Sequence, residues 1–134
     1  MHTIKTDLAS GIIHVEASGF WTVEHIQAFL RDLEREARLV LSTGKRHMLL
    51  CDFSRAAIQP QEVITALQEI ALNLTLKSRK VAFYTDGKLA RLQVKRIAAV
   101  RDDMAVFENR ASALEWLLAD GLDRYVRQTL EVRA

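Results

Sequence analysis

An α/β domain built on a mixed, mostly parallel sheet is the fold class this sequence predicts, and three observations predict it. Short apolar runs, Met48-Leu49-Leu50-Cys51 and the KVAFY run Lys80–Tyr84, alternate with longer stretches whose apolar residues recur every three or four positions. The first of these runs is continuously apolar, which suits a central strand covered on both faces. A hairpin with turn chemistry at Leu8-Ala9-Ser10-Gly11 opens the chain. Strand–helix alternation after a hairpin gives the order β-β-α-β-α-β-α-β-α, plus a terminal helix.

Each element has its own warrant. Thr3–Asp7 and Ile12–Ala17 form the hairpin, with Ile13, Val15 and Ala17 on one face. Thr22 caps a helix over Val23–Leu41, whose stripe is Ile26, Phe29, Leu30, Leu33, Ala37, Val40 and Leu41. Thr43-Gly44 stops it. A strand spans His47–Asp52. Pro60 then sits in the first turn of a helix that buries Val63, Ile64, Leu67, Ile70, Ala71 and Leu74. After the Lys80–Tyr84 strand, Asp86 is the expected cap of a helix over Gly87–Val100, with Leu89, Leu92 and Ile97 directed at the sheet. Met104–Phe107 is the last strand. Asn109 caps Arg110–Ala119, and Gly121 stops it. Leu122–Leu130 reads as a terminal helix, which sets residues 1–119 as the domain and 120–134 as a helical extension.

Composition narrows the function. A chain of 134 residues makes one domain, long enough to fold without metal or disulfide. Its 49% hydrophobic and 27% charged content is ordinary for a soluble protein. The net charge of +2 is too small to imply nucleic-acid binding. Cys51 is the only cysteine, so neither a disulfide framework nor a cysteine-based zinc site can be built. No apolar run approaches membrane-spanning length and the first residues lack a signal-peptide pattern. The expectation is a cytoplasmic protein without stable membrane insertion.

Catalytic motifs are missing as well: there is no Gly-x-Ser-x-Gly, phosphate loop or Gly-x-Gly-x-x-Gly. His2, His14, His25 and His47 have no partner at helical metal spacing. His47, beside Arg46, reads as exposed, and Cys51 as a small core residue. The sequence therefore assigns no catalytic residue, metal or cofactor. A hydrolase-type activity using Asp52 or a histidine is the alternative.

The stretches GFWTVEHIQAFLRDL, LLCDFSRAAIQPQEV, KVAFYTDGKLARLQVKR and AVFENRASALEWLL, in this order and spacing, resemble the bacterial SpoIIAA-like, or STAS-like, family up to about Leu118. The resemblance implies a small α/β domain with a mixed sheet. Characterised STAS domains are mostly non-catalytic; they bind partner proteins such as anti-sigma kinases, or form regulatory parts of transporters and sensors. Some bind small ligands. Phospho-regulated members carry a serine in the loop that falls here near Ile58-Gln59-Pro60-Gln61-Glu62. No Ser or Thr lies from Arg55 to Ile64, so the resemblance does not extend to that switch. Glu62 is read as an acid that complements the helix dipole.

Two surfaces stand out. The carboxyl ends of parallel strands are the usual ligand edge of open α/β sheets. Asp52, Ser54 and Arg55, with Thr85 and Asp86, make a candidate ligand or partner rim there. Turn-shaping and capping are the competing roles of these residues. From Lys77 to Arg101 eight basic residues face a single acid, Asp86. Lys88, Arg91 and Lys95, with Arg96, line one side of the helix that follows. Trp21 is read as packing beneath the first helix, with a pocket mouth as the alternative. Leu122, Tyr125, Val126 and Leu130 offer a stripe for the domain itself or for a second copy, a homodimer. The leading expectation is a regulatory module that binds a protein partner. A binder of a small anionic, lipid-like or otherwise apolar molecule is the alternative.

Overall fold

Gly11, at φ 76°, turns the chain between β1 (His2–Asp7) and β2 (Ile12–Gly19), a backbone conformation that side-chain-bearing residues rarely adopt. The computed structural model describes residues 1–74 and 76–119. After the hairpin come α1 (Val23–Ser42), β3 (Met48–Ala56), α2 (Gln61–Asn73), β4 (Val81–Tyr84), α3 (Lys88–Ala98) and β5 (Met104–Phe107). A further helix, α4, covers 110–119.

The sheet order is β1-β2-β3-β4-β5. β1 is antiparallel to β2, and every later pair is parallel. Stepping one strand at a time through right-handed crossovers brings α1, α2 and α3 to one face. There Ile13, Val15, Leu49, Cys51, Val81 and Phe83 meet Leu33, Ala37 and Val40 of α1, Ile64 of α2, and Val94 and Ile97 of α3. The other face is covered in part by α4, whose Ala113 and Leu117 pack on Ile12, Met48, Leu50 and Ala82. β3 is thus buried from both sides along Met48–Cys51, the arrangement its continuous apolar run implies.

The caps at both ends of the chain are as the sequence predicts. Thr22 Oγ1 accepts from His25 N at 3.0 Å, and Asn109 Oδ1 accepts from Ser112 N at 2.9 Å. Five expectations are corrected. Asp86 does not cap α3: Gly87 occupies the N-cap position, in extended backbone and without a side-chain bond. Leu89 and Leu92 do not face the sheet but are 71% and 60% exposed, because Val94, Ile97 and Ala98 form the buried side of α3. Leu41, at the end of the α1 stripe, is exposed for the same kind of reason, with Val40 taking the buried position. His47 is buried, and its Nε2 is hydrogen-bonded to Ser78 Oγ at 2.8 Å. β3 also continues past Asp52 to Ala56, so Asp52 lies inside a strand rather than at its end. The terminal helix and the stripe Leu122, Tyr125, Val126 and Leu130 fall outside the described residues.

Candidate functional site

The turn after β3 is held by one side chain. Gln59 Oε1 accepts from Trp21 N at 2.7 Å, and its Nε2 donates to the Gly19 and Ala57 carbonyls, each at 2.8 Å. Gln59 therefore joins the β2–α1 junction to the β3–α2 loop. Its own backbone is bonded to the Gln93 carboxamide of α3 in both directions. Two more bonds fasten α2 to α3: Arg96 Nη2 to Gln61 Oε1 at 2.6 Å, and Gln68 Nε2 to the Arg96 carbonyl at 2.9 Å. The loop between β3 and α2 is thus locked by side-chain amides.

This scaffold presents an apolar edge. Phe20 is 74% exposed beside Gly19, and Ile58 is 47% exposed beside Gln59. Leu89 and Leu92 are exposed on the first two turns of α3, next to Gln93. All four lie on adjoining segments at the carboxyl end of the parallel strands. Lys88, Lys95 and Arg96 are exposed around Leu92 on the same helix side. Arg91 differs, because its Nη1 is paired with Glu108 Oε1 at 2.6 Å.

The five residues of the predicted rim do not form one cluster. Asp52 is aligned with Glu16 on β2 and Tyr84 on β4, and Tyr84 in turn with Phe107, in one cross-strand row. That row belongs to the sheet face carrying α4. Burial, then the negative charge of Asp52, holds the Tyr84 phenol above its ordinary range. Asp52 Oδ1 also accepts from Ser54 N at 2.9 Å, the local turn-shaping role. Ser54, Arg55 and Asp86 are exposed. Thr85 is 1% exposed, with its hydroxyl near the Phe53 carbonyl, and does not reach the surface. Farther along the same face Arg110 Nη2 lies 3.4 Å from His14 Nδ1, and burial followed by that cation depresses the His14 pKa.

Between the sheet and α1–α3 lies a cavity of about 70 Å³. Its lining is almost wholly apolar, including Phe29, Leu33, Phe53, Leu67, Ile70 and Phe83. Trp21 lines one part; the indole is 4% exposed and packs edge-on against His25 and Phe29 at 4.6 and 5.3 Å. It thus packs beneath α1 and borders a pocket at once. Cys51 also lines the cavity, and burial pushes its thiol up to about 12, so it is no nucleophile.

A polar chain crosses from β1 to α1. His2 Nε2 lies 2.7 Å from Asp32 Oδ2, and His2 Nδ1 lies 3.0 Å from His25 Nε2. The hydrogen bond from His2 holds Asp32 below its usual carboxylate range. Among the described residues no group of three or more His, Cys, Asp or Glu is arranged to hold a metal ion, and no helix is long and apolar enough to cross a membrane.

No family model matches the sequence, and no curated protein matches it. Among solved structures, the chain is similar to an uncharacterized protein of the DUF3478 family with a SpoIIAA-like fold from Shewanella loihica PV-4. The TM-score is 0.63 at 18% identity, over 87% of this chain and 92% of that one. This chain therefore has a SpoIIAA-like fold, the one its sequence resemblance implies.

Proposed function

We propose that this SpoIIAA-like domain is a non-catalytic interaction module that docks a protein partner on the edge formed by Phe20, Ile58, Leu89 and Leu92. One observation carries the reading: four large apolar side chains, 47–74% exposed, stand on adjoining segments that Gln59 and Gln93 lock together. Large exposed apolar side chains gathered on neighbouring segments mark interaction sites. Lys88, Lys95 and Arg96 border it, so the partner is one whose apolar side chains are flanked by carboxylates. The leucines supply burial, and the cations supply orientation and on-rate.

Affinity capture from the protein's own host, wild type against Leu89→Asp/Leu92→Asp, tests this. The expected result is one protein recovered with wild type, lost with the double variant, and recovered more poorly as salt rises. Equal recovery by both forms contradicts the reading.

The cavity favours a second reading, a binder of a small apolar molecule. Protein interiors carry few voids larger than a water. A cavity of about 70 Å³ with an apolar lining is such a void, with room for a molecule of only a few heavy atoms.

A further inference from the structure

β1 is joined to α1 by three titratable side chains in a row. His2 stands in the middle, with Nε2 2.7 Å from Asp32 Oδ2 and Nδ1 3.0 Å from His25 Nε2. The His2 side chain is 11% exposed, and His25 is half-buried. The two imidazoles meet edge to face at 4.9 Å between ring centres. Trp21 packs against both, at 4.6 Å from His25 and 6.1 Å from His2.

The protons of this row have few places to go. An ionised Asp32 only accepts, so His2 carries a proton on Nε2. In the neutral pair His2 Nδ1 then accepts from His25 Nε2–H. A first added proton keeps a hydrogen bond between the rings. It goes to His25 Nδ1, or to His2 Nδ1 with His25 Nε2 becoming the acceptor. A second proton sets N–H against N–H across 3.0 Å, between two cations. No hydrogen bond joins two donors, and the like charges repel.

The surroundings oppose that second proton. Asp32 is the carboxylate in contact with His2, and it is shared with Arg35, whose Nη2 lies 3.4 Å from Oδ1. Arg31 also acts on Asp32. The Met1 ammonium, bonded to the Ser18 carbonyl at 2.9 Å, acts on His25. β2 places the uncharged Ala17 opposite His2. Glu16, Asp52 and Arg55 border the same end of β1 in a groove that His2 also lines. Burial, then the ammonium, then His2 lowers the His25 pKa. The pair therefore contributes stability above about pH 6.5 that is lost as the pH falls.

We infer that His2, His25 and Asp32 form an acid-operated clasp between β1 and α1, closed while at most one imidazole is charged and opened by the second proton. Opening withdraws His2 from α1 and uncovers Trp21, which is 4% exposed in the closed form. The backbone N–H of Trp21 is the group that Gln59 holds, so the clasp adjoins the amide-locked loop.

Acrylamide quenching of Trp21 fluorescence from pH 8 to pH 5, in a Trp116→Phe background, tests the inference. The comparison is His25→Gln, whose amide can donate to His2 Nδ1 and does not titrate. His14 and His47 remain in both proteins, so the difference between them reports on the clasp alone. NMR of the imidazole nitrogens follows the protonation of His2 and His25 in the same range. The expected result is a Trp21 that becomes quenchable as the second proton binds, and that stays shielded in His25→Gln. Equal exposure of Trp21 in both proteins overturns the inference, as does a Trp21 that stays shielded down to pH 5 in the protein with both histidines. If His25→Gln does not fold, the NMR titration decides: exposure that follows the second proton supports the clasp, and exposure that follows the first overturns it.

Discussion

The Gln59 backbone and the Gln93 side chain hold each other through two hydrogen bonds, Gln59 N–H to Gln93 Oε1 at 2.8 Å and Gln93 Nε2–H to the Gln59 carbonyl at 2.6 Å. Both groups are partly buried, so neither is readily given up to water. The pair fixes the β3–α2 loop against α3. With the Gln59 carboxamide reaching Gly19 and Trp21, it ties together the segments that carry Phe20, Ile58, Leu89 and Leu92.

Replacing Gln93 by Ala leaves the Gln59 N–H and carbonyl without these partners. Stability should fall by about 1–3 kcal/mol, the cost of stranding partly buried polar groups. Urea unfolding reads this as a lower midpoint at an unchanged slope. An unchanged midpoint would mean that the pair contributes nothing.

His47 makes stability pH-dependent. Burial, then the charges of Arg46 and Arg101, lowers its pKa from 6.5 to about 4. The folded state thus binds fewer protons than the unfolded one. Its contribution is fully present above pH 6.5 and is lost as pH falls from there toward 4, a change of about 2–3 kcal/mol. Urea unfolding at pH 7 and pH 5 should show the drop, and His47→Gln should flatten it. Equal slopes with pH in both proteins would contradict a neutral buried imidazole.

Cys51 is 3% exposed and its thiol is pushed up to about 12. A thiol reagent at pH 8 should leave the native protein unmodified and react fully in concentrated urea. Rapid reaction of the native protein would place the thiol at the surface.

Leu117 on α4 is 0% exposed and packs on the sheet face opposite α1–α3. Leu117→Ala should cost about 2–5 kcal/mol in a single cooperative transition. Leu92→Ala, at an exposed position, should stay within about 0.5 kcal/mol. A separate early transition for Leu117→Ala would show α4 to be an independent unit.

The fold was legible because its signals are local. Periodicity marks α1, the continuous run marks β3, and Thr22 and Asn109 announce the helices they cap. The site was legible only in part. Gln59 and Gln93 are 34 residues apart, and no local pattern pairs two glutamines. His47 is buried by a hydroxyl 31 residues away at Ser78, again with no signal at the histidine itself. The exposure of Leu92 was readable: at 100° per residue it lies opposite Val94, Ile97 and Ala98, the side that faces the sheet. Asp52 looked like a strand end because Phe53-Ser54-Arg55 breaks the apolar run. The strand continues through these residues by pairing with β2, as in Ser18 with Arg55.

Site-specific photocrosslinking in the protein's own host tests the interaction surface most directly. A photoreactive residue is placed at position 20, 89 or 92, and for control at Leu39, which is exposed on α1. The expected result is a discrete crosslinked protein, the same one from positions 20, 89 and 92, absent from position 39 and lost when Lys95→Glu/Arg96→Glu is added. No discrete product from the three edge positions, or the same product from position 39, would contradict it.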